Sequence, residues 1–200
     1  MSAQTNDTID DARLVSSCRK GDRNAFEQLV NRYQKMMLNI AFRITGNFDD
    51  ACDITQEAFL NAWRKITDYR GEARFSTWVA AIVVNLSRNR LQQLHTQAGH
   101  EAYSLDDTSC EQSGFCRPSA VSNLQSALEK VEQEQLRDAI RNCLKRLPAE
   151  FREVMVLRDM HGFSYDEVGD TLGIKEGTVK SRLFRARDGV KDCLRNALAE

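Results

Sequence analysis

The sequence predicts an all-α protein made of two small helical domains joined by a flexible linker. Apolar residues recur at helical spacing over 26–94 and again from residue 128 onward, and no segment alternates as a half-buried strand does. The stretch between these parts contains Gly, Ser, Pro and several acidic residues and has no period, which indicates a linker. We therefore expect helical domains at 1–97 and 127–200 and an acidic linker at 98–126.

Helix boundaries in the first domain are predicted from cap residues. Asn24 and Glu27 have the spacing of a capping box, so a helix is expected to begin there. Gly46 is suited to the left-handed position that ends this helix. Asn47 or Asp49 is then expected to cap the helix that follows.

The second domain contains two short helices joined by a tight glycine turn. Ser164 and Glu167 form a capping box that opens the first of these helices, and Gly173 is suited to the left-handed position after it. The next helix is expected to begin near Lys175 or Glu176. Two short helices with this kind of turn indicate a helix-turn-helix.

The last helix of the pair is amphipathic and basic. From residue 175 to 191 there are six basic and two acidic residues, although the whole chain has a net charge of −1. The side predicted to be buried carries Val179, Leu183, Ala186 and Val190. The opposite side carries Ser181, Phe184 and Arg185, with Lys180 on its flank. Arginine pairs with guanine acceptors and phenylalanine contacts the thymine methyl, so this side is typical of a DNA-binding surface; the alternative is a solvated basic helix.

The segment "LPAEFREVMVLRDMHGFSYDEVGDTLGIKEGTVKSRLFRAR" resembles region 4 of the extracytoplasmic-function sigma factors. That resemblance implies that the last helix reads the −35 element of a promoter. The residues implied in DNA contact are Lys180, Ser181, Arg182, Phe184, Arg185 and Arg187. Gly169 departs from the family, which usually has Ala there, and a mid-helix Gly costs about 1 kcal/mol relative to Ala.

An acidic stripe marks one helix of the first domain. Asp50, Asp53, Glu57 and Asn61 fall on one side of a helix, which by itself is typical of a solvent face. The segment "DDACDITQEAFLNAWRKI" resembles region 2.2 of the same family, whose surface docks on the clamp helices of the largest RNA polymerase subunit. The resemblance implies core polymerase contacts by Asp53, Gln56, Glu57 and Leu60.

The next segment, "ITDYRGEARFSTWVAAIVVN", resembles regions 2.3 and 2.4, a loop followed by a helix that begins near Ser76. In the family this part captures a base flipped from the −10 element and opens the duplex. The residues implied in −10 binding are Tyr69, Arg70, Arg74, Thr77, Asn85 and Arg88. Phe75 and Trp78 are expected in the core. Glutamines 92 and 93 replace common arginines, which reduces the number of phosphate contacts.

Taken together, the two resemblances imply an alternative sigma factor that binds RNA polymerase core and directs promoter-specific initiation. The sequence shows no nucleophile–base set and no Gly-rich phosphate loop, so neither enzymatic activity nor a cofactor is expected. Residues 1–11 lack the apolar region of a signal peptide, and no apolar run approaches about 18 residues. A cytoplasmic protein without direct membrane insertion is expected, with an anti-sigma factor as a partner implied by the resemblance.

Two other functions remain open from the sequence. A stand-alone DNA-binding repressor would use only residues 127–200. A metal- or redox-sensing module would use side chains in or near the linker, namely His95, His100, Cys110 and Cys116, although their spacing matches no standard zinc motif. The six cysteines are expected to be reduced, and Cys18, Cys143 and Cys193 are expected to be small buried hydrophobic residues.

Overall fold

The computed structural model describes residues 3–101 and 127–197, and within these ranges every regular element is a helix. The N-terminal module consists of α1 (Ala3–Arg19), α2 (Arg23–Thr45), α3 (Phe48–Arg64) and α4 (Phe75–Glu101). The C-terminal module consists of α5 (Ala127–Arg146), α6 (Ala149–Met155), a π-helical turn (Val156–Met160), α7 (Tyr165–Leu172) and α8 (Glu176–Ala197). The all-α prediction is confirmed, and residues 102–126 of the predicted linker lie outside the described residues.

The helix ends of the N-terminal module follow cap chemistry. Asp22 caps α2, because its Oδ1 accepts hydrogen bonds from the backbone N–H groups of Asn24 (2.9 Å) and Ala25 (3.3 Å). The predicted cap at Asn24 is therefore wrong, since an earlier carboxylate takes the first free donors of the helix. Gly46 ends α2 with φ 77°, as predicted, and Asn47 caps α3.

Helices α2, α3 and α4 pack pairwise around an apolar core, and α1 packs on α2. The long helices contribute side chains that are wholly shielded from solvent, among them Leu29, Met37, Ile40, Ile44, Val79 and Val83. Each such side chain contributes about 1.5–3 kcal/mol relative to an exposed position. This core fixes the outer faces of α3 and α4, which carry the predicted binding residues.

The C-terminal module holds α8 against α5 and α6 through Leu144, Leu147, Ala186 and Val190. A disulfide between Cys143 and Cys193 also joins α5 to α8, with a Cα–Cα distance of 5.7 Å. The expectation that these two cysteines are reduced is wrong, because helix packing brings together positions 50 residues apart. Cys143 is buried, as expected, whereas Cys193 is half-buried. Cys18 is buried, as expected.

The two modules are in direct contact, which the sequence did not predict. Helix α4 packs on α7, and α2 packs on α5, α6 and the π-helical turn. One apolar cluster includes residues of both modules, from Val15 in α1 to Leu183 in α8. In addition, Arg152 Nη1 donates a 2.7 Å hydrogen bond to the carbonyl of Ile44 at the C-terminal end of α2.

Candidate nucleic-acid interface

The helix-turn-helix forms as the local sequence predicts. The Ser164 side chain accepts from the Glu167 N–H, and the Glu167 carboxylate accepts from the Ser164 N–H, so the capping box is complete. Gly173 ends α7 with φ 68°, a conformation that favours glycine. Gly169 is buried within α7, and a Cβ built on it would lie 2.9 Å from the carbonyl oxygen of Ile174. The turn is therefore shaped around this glycine.

Helix α8 presents the predicted DNA-binding side to solvent. Its buried residues are Val179, Leu183, Ala186 and Val190, as predicted. Ser181, Phe184 and Arg185 lie on the exposed side, and Phe184 is 74% exposed. At this exposure the Phe184 ring is available to contact a thymine methyl. Among the described residues, Arg185 has no ion-pair partner.

The other predicted cations of α8 are held by carboxylates. Lys180 pairs with Glu176 of the same helix at 2.6 Å. Arg182 pairs with Glu150 at 2.6 Å, and Arg187 forms a two-point contact with Asp159 at 2.9 and 2.6 Å. Asp159 raises the pKa of the Arg187 guanidinium through these hydrogen bonds. These pairs orient the cations along the flanks of the helix.

The loop before α4 is fixed by aromatic packing. The ring of Tyr69 lies 4.9 Å from that of Trp78 and 6.1 Å from that of Phe75. The Tyr69 hydroxyl donates to the carbonyl of Ala73, which closes the loop on itself. Burial raises the pKa of Tyr69. Phe75 is in the core, as predicted, whereas Trp78 is only half-buried.

A cleft of about 370 Å³ opens beside this loop. Its walls are residues 68–73, the first turns of α4 including Thr77 and Trp78, and two residues of the C-terminal module, Asp170 and Thr171. The cleft is open to solvent, and one wall is aromatic. A stacked nucleobase would match that combination.

The predicted −10 residues divide into two groups. Arg70 is exposed in the loop and Asn85 is exposed on α4. Arg74, Thr77 and Arg88 instead face the C-terminal module: Thr77 is 2% exposed, and Arg88 makes hydrogen bonds of 2.8 and 2.6 Å to Glu153. The Glu153 carboxylate raises the pKa of Arg88.

The predicted polymerase-binding residues lie on the outer side of α3. Asp53, Gln56 and Glu57 are exposed, and Leu60 is 55% exposed beside them. Asp50 does not belong to this surface, because it is 8% exposed and its carboxylate lies 2.8 Å from Arg90 Nε. In the acidic stripe, Asp53 and Glu57 thus lie on the solvent face, whereas Asp50 forms an internal ion pair.

The metal hypothesis is not tested by the structure. His95 is exposed on α4, whereas Cys110 and Cys116 lie outside the described residues. Within the described ranges, no group of three or more His, Cys, Asp and Glu side chains is arranged to hold a metal ion. No helix in those ranges has the length and apolar character required to cross a membrane.

Sequence reasoning missed the acids that contact the predicted DNA-binding side chains. Glu153 is 2% exposed and lies on the same helical side as the buried Val156 and Leu157. An acidic residue within an apolar stripe is the one sequence signal that could have indicated a buried ion pair. Glu167 was recognised only as a helix cap, and its second partner on α4 is 90 residues away.

Comparisons with known proteins agree with this geometry. The model of Sigma-70 region 2 matches residues 29–96, and that of Sigma-70, region 4 matches residues 137–188. The RNA polymerase sigma-H factor of Pseudomonas aeruginosa is 30% identical over 190 residues, covering 95% of this chain and 96% of that protein. The ECF RNA polymerase sigma-E factor of Escherichia coli K12 is 33% identical, covering 95% of both proteins.

Two solved structures are similar as well. CnrH, in complex with the cytosolic domain of CnrY, matches with a TM-score of 0.64 and 25% identity over 94% of this chain and 98% of that one. The sigma factor RpoE of Bartonella quintana, in complex with the anti-sigma factor NepR, matches with a TM-score of 0.67 over 85% of this chain and 96% of that one. Its 20% identity supports the fold alone.

The chain belongs to the extracytoplasmic-function (ECF) family of RNA polymerase sigma factors. It is an alternative sigma factor, a transcription initiation factor that binds RNA polymerase core and directs it to promoters, and it is not an enzyme. The matches span both modules, which favours this function over a repressor that uses residues 127–200 alone.

Proposed function

We propose that the two modules divide promoter recognition between them. The N-terminal module, residues 1–97, binds polymerase core and recognises and melts the −10 element. Residues 127–200 read the −35 element, and the segment between the two modules connects them. The exposed side of α8, with Phe184 and Arg185 unshielded, is the observation that carries the proposal.

For the −35 element, Ser181, Phe184 and Arg185 contact base edges in the major groove. Lys180, Arg182 and Arg187 contact phosphates and set the register. In the free chain Arg182 is paired with Glu150 and Arg187 with Asp159, so each guanidinium exchanges its carboxylate for a phosphate when DNA binds.

For the −10 element, the cleft beside Tyr69 receives a base that leaves the duplex. Tyr69 and Trp78 provide aromatic surface, and Arg70 and Asn85 are exposed nearby for backbone and base contacts. Arg74, Thr77 and Arg88 complete this surface. Strand separation is then driven by binding energy, without nucleotide hydrolysis by this chain.

For polymerase core, Asp53, Gln56, Glu57 and Leu60 contact the clamp helices of the largest subunit. Exposed carboxylates beside an exposed leucine support an interface in which basic partners set register and an apolar contact adds affinity. The complex of CnrH with the cytosolic domain of CnrY supports a further protein partner, which the resemblance to the family implies to be an anti-sigma factor. Such a protein acts in the cytoplasm, where RNA polymerase is found.

The Arg185→Ala variant tests the −35 assignment. Because Arg185 is expected to pair with a base, its loss should weaken recognition of the −35 element by about 1–3 kcal/mol and relax its sequence preference. The measurement is run-off transcription with polymerase core on templates with single −35 substitutions. Arg195→Ala is the control, because Arg195 lies further along α8 and its ion-pair partner within the described part of the chain is Asp192 of the same helix. An unchanged −35 preference in Arg185→Ala would refute the assignment.

A further inference from the structure

The Tyr69 loop, residues 67–74, joins α3 to α4 and contains no helix. It runs between two buried residues, Ile66 and Phe75, and none of its own residues is buried. Within the loop, the Tyr69 hydroxyl donates to the carbonyl of Ala73, a bond that closes the loop without attaching it to the rest of the module. The position of the Tyr69 ring, which lines the base cleft, therefore depends on contacts from outside the loop.

Helix α1 contacts this loop directly through Arg19, its last residue. Nη2 of Arg19 donates a hydrogen bond to the backbone carbonyl of Tyr69, 50 positions further along the chain. A hydrogen bond from a charged donor is stronger than one between neutral groups. The contact holds the backbone of Tyr69 against the end of α1, and with it the ring that extends from that backbone.

Helix α1 also reaches the loop through a chain of buried contacts. Asp11 is 6% exposed, and its carboxylate accepts hydrogen bonds from Arg32 at 2.7 Å and from the Tyr33 hydroxyl. Burial, and then the hydrogen bond to Asp11, raise the pKa of Tyr33, so its hydroxyl keeps the proton that it donates. The Tyr33 ring lies 5.8 Å from that of Phe75, which lies 6.1 Å from that of Tyr69.

Both sets of contacts act on the same wall of the cleft. Arg19 holds the Tyr69 backbone, while the ring of Tyr69 packs edge-on against Phe75 with an interplanar angle of 88°. On its other side the Tyr69 ring lies 4.9 Å from that of Trp78, which also lines the cleft. A base binds more tightly to an aromatic surface that is already in place, because ordering a loop during binding costs free energy.

We propose that α1 positions the Tyr69 loop for the capture of a flipped base, with Arg19 and Tyr33 as positioning residues. Neither side chain is among the described residues that line the cleft. Arg19 acts on the carbonyl of Tyr69, and Tyr33 acts on its ring through Phe75. This inference rests on the proposed −10 role of the cleft and adds to it a helix to which no binding residue was assigned.

The test uses the full chain with the variant Arg19→Ala. Arg19→Lys is the conservative variant, because lysine keeps a cationic donor, and Arg13→Ala is the matched control, because Arg13 is an exposed arginine of the same helix. Tyr33→Phe tests the second set of contacts, since it keeps the ring and removes the hydroxyl that is bonded to Asp11. Thermal melting establishes that each variant is folded.

The fluorescence of Trp78 measures the position of the loop in the absence of DNA, because its ring contacts that of Tyr69. The chain has two tryptophans, so a Trp63→Phe background leaves Trp78 as the single reporter. Quenching of Trp78 by acrylamide should rise in Arg19→Ala and rise less in Arg19→Lys and Tyr33→Phe. It should keep the wild-type value in Arg13→Ala.

The functional readout is run-off transcription with polymerase core, on a template that the wild type transcribes. Each base of the −10 element on the non-template strand is replaced in turn by an abasic site, and the position with the largest loss marks the captured base. On the intact template Arg19→Ala should lower transcription about three- to tenfold, the effect of one hydrogen bond. On the template without the captured base, Arg19→Ala and the wild type should be equal, because the cleft has no base to hold.

Unchanged quenching and transcription in Arg19→Ala would overturn the positioning role, as would higher quenching with full transcription. An equal loss on the intact and abasic templates would also overturn it, because Arg19 would then act on general stability or on another step. Failure of the proposed −10 role appears separately in Tyr69→Ala, which would then transcribe the intact template as the wild type does, whatever the quenching shows.

Discussion

The N-terminal module is built from long helices whose apolar sides are fully buried. The C-terminal module is instead stabilised by many specific contacts, namely helix caps, hydrogen bonds, ion pairs and a disulfide. Helix α2 has 23 residues and six buried positions, while α6 and α7 have only 7 and 8 residues. Helix α7 has a capping box, and Arg152 of α6 donates to the carbonyls of Lys145 and Leu147. A disulfide joins the two longer helices of the module, α5 and α8. A small module buries too little apolar surface to fix its geometry without such contacts.

The difference has a functional consequence. In the proposed function, the long helices provide a stable surface for polymerase and for strand separation. The C-terminal module then positions the helix proposed to read the −35 element, and two of its acids, Glu153 and Glu167, also contact α4. Substitutions that remove one of these specific contacts should therefore lower the stability of the C-terminal module most. Substitutions that disturb apolar packing should lower the stability of the N-terminal module most.

Loss of the disulfide is expected to have the largest effect. Closing a loop between positions 50 apart stabilises a fold by about 4 kcal/mol when only chain entropy is counted. The double variant Cys143→Ala, Cys193→Ala should lower the free energy of unfolding of the C-terminal module by that order, measured by denaturant titration without reductant. Reductant should destabilise the wild type similarly and leave the variant unchanged. A wild type that is equally stable with and without reductant would contradict the role of this bond.

Truncation of a core leucine should affect the N-terminal module strongly. Leu29 is fully shielded, so Leu29→Ala should lower the free energy of unfolding by about 3 kcal/mol through lost transfer energy and a cavity. The matched control is Leu60→Ala, at a position 55% exposed, which should change stability by less than about 0.5 kcal/mol. Equal effects of the two leucines in denaturant titrations would contradict the described core.

Lowering the pH should reduce the free energy of unfolding through His161, which follows the π-helical turn. Burial, and then the nearby Arg43 cation, lower the pKa of His161 to about 4 from 6.5, and its buried Nε2 has no hydrogen-bond partner among residues 3–101 and 127–197. Below pH 6.5 the unfolded chain binds a proton that the folded chain does not, so stability falls as the pH drops toward 4. From pH 7 to 5.5 the free energy of unfolding should fall by about 1 kcal/mol.

The variant His161→Leu isolates this contribution. The difference in stability between wild type and variant should change by about 1 kcal/mol between pH 7 and 5.5, because all other titrating groups are shared. Thermal melts at the two pH values provide the measurement. A constant difference would show that His161 has an ordinary pKa.

The smallest effect is expected at Gly169. Helix propensity alone predicts that Gly169→Ala adds about 1 kcal/mol of stability. The new Cβ would lie 2.9 Å from the Ile174 carbonyl oxygen, so the turn must move and the gain should be lost. Gly177→Ala is the control, because a Cβ there meets nothing within 4 Å, and it should gain up to about 1 kcal/mol. A similar gain at both positions in thermal melts would contradict the close contact.

Local features of this fold could be predicted from the sequence, because their causes lie within a few residues. The Ser164–Glu167 capping box and the terminal glycines Gly46 and Gly173 depend only on neighbouring backbone groups. The error at Asn24 is of the same local kind, since Asp22 competes for the same donors and accepts from Asn24 itself. The buried side of α8 followed from helical periodicity.

The remaining features depend on which helices pack against each other, and helical periodicity in the sequence carries no information about that. The contacts of Arg88 with Glu153 and of Asp50 with Arg90 join positions on different helices. The Cys143–Cys193 bond has the same origin. The sequence therefore provided candidate residues for −10 binding, but not that three of these candidates face carboxylates of the other module.

Run-off transcription from a genomic fragment library, with polymerase core and this chain, tests the division of labour most directly. We expect transcripts whose templates share an upstream and a downstream element, with Arg185→Ala relaxing only the upstream element and Arg88→Ala only the downstream one. Transcripts from no template, or one variant relaxing both elements, would contradict the account.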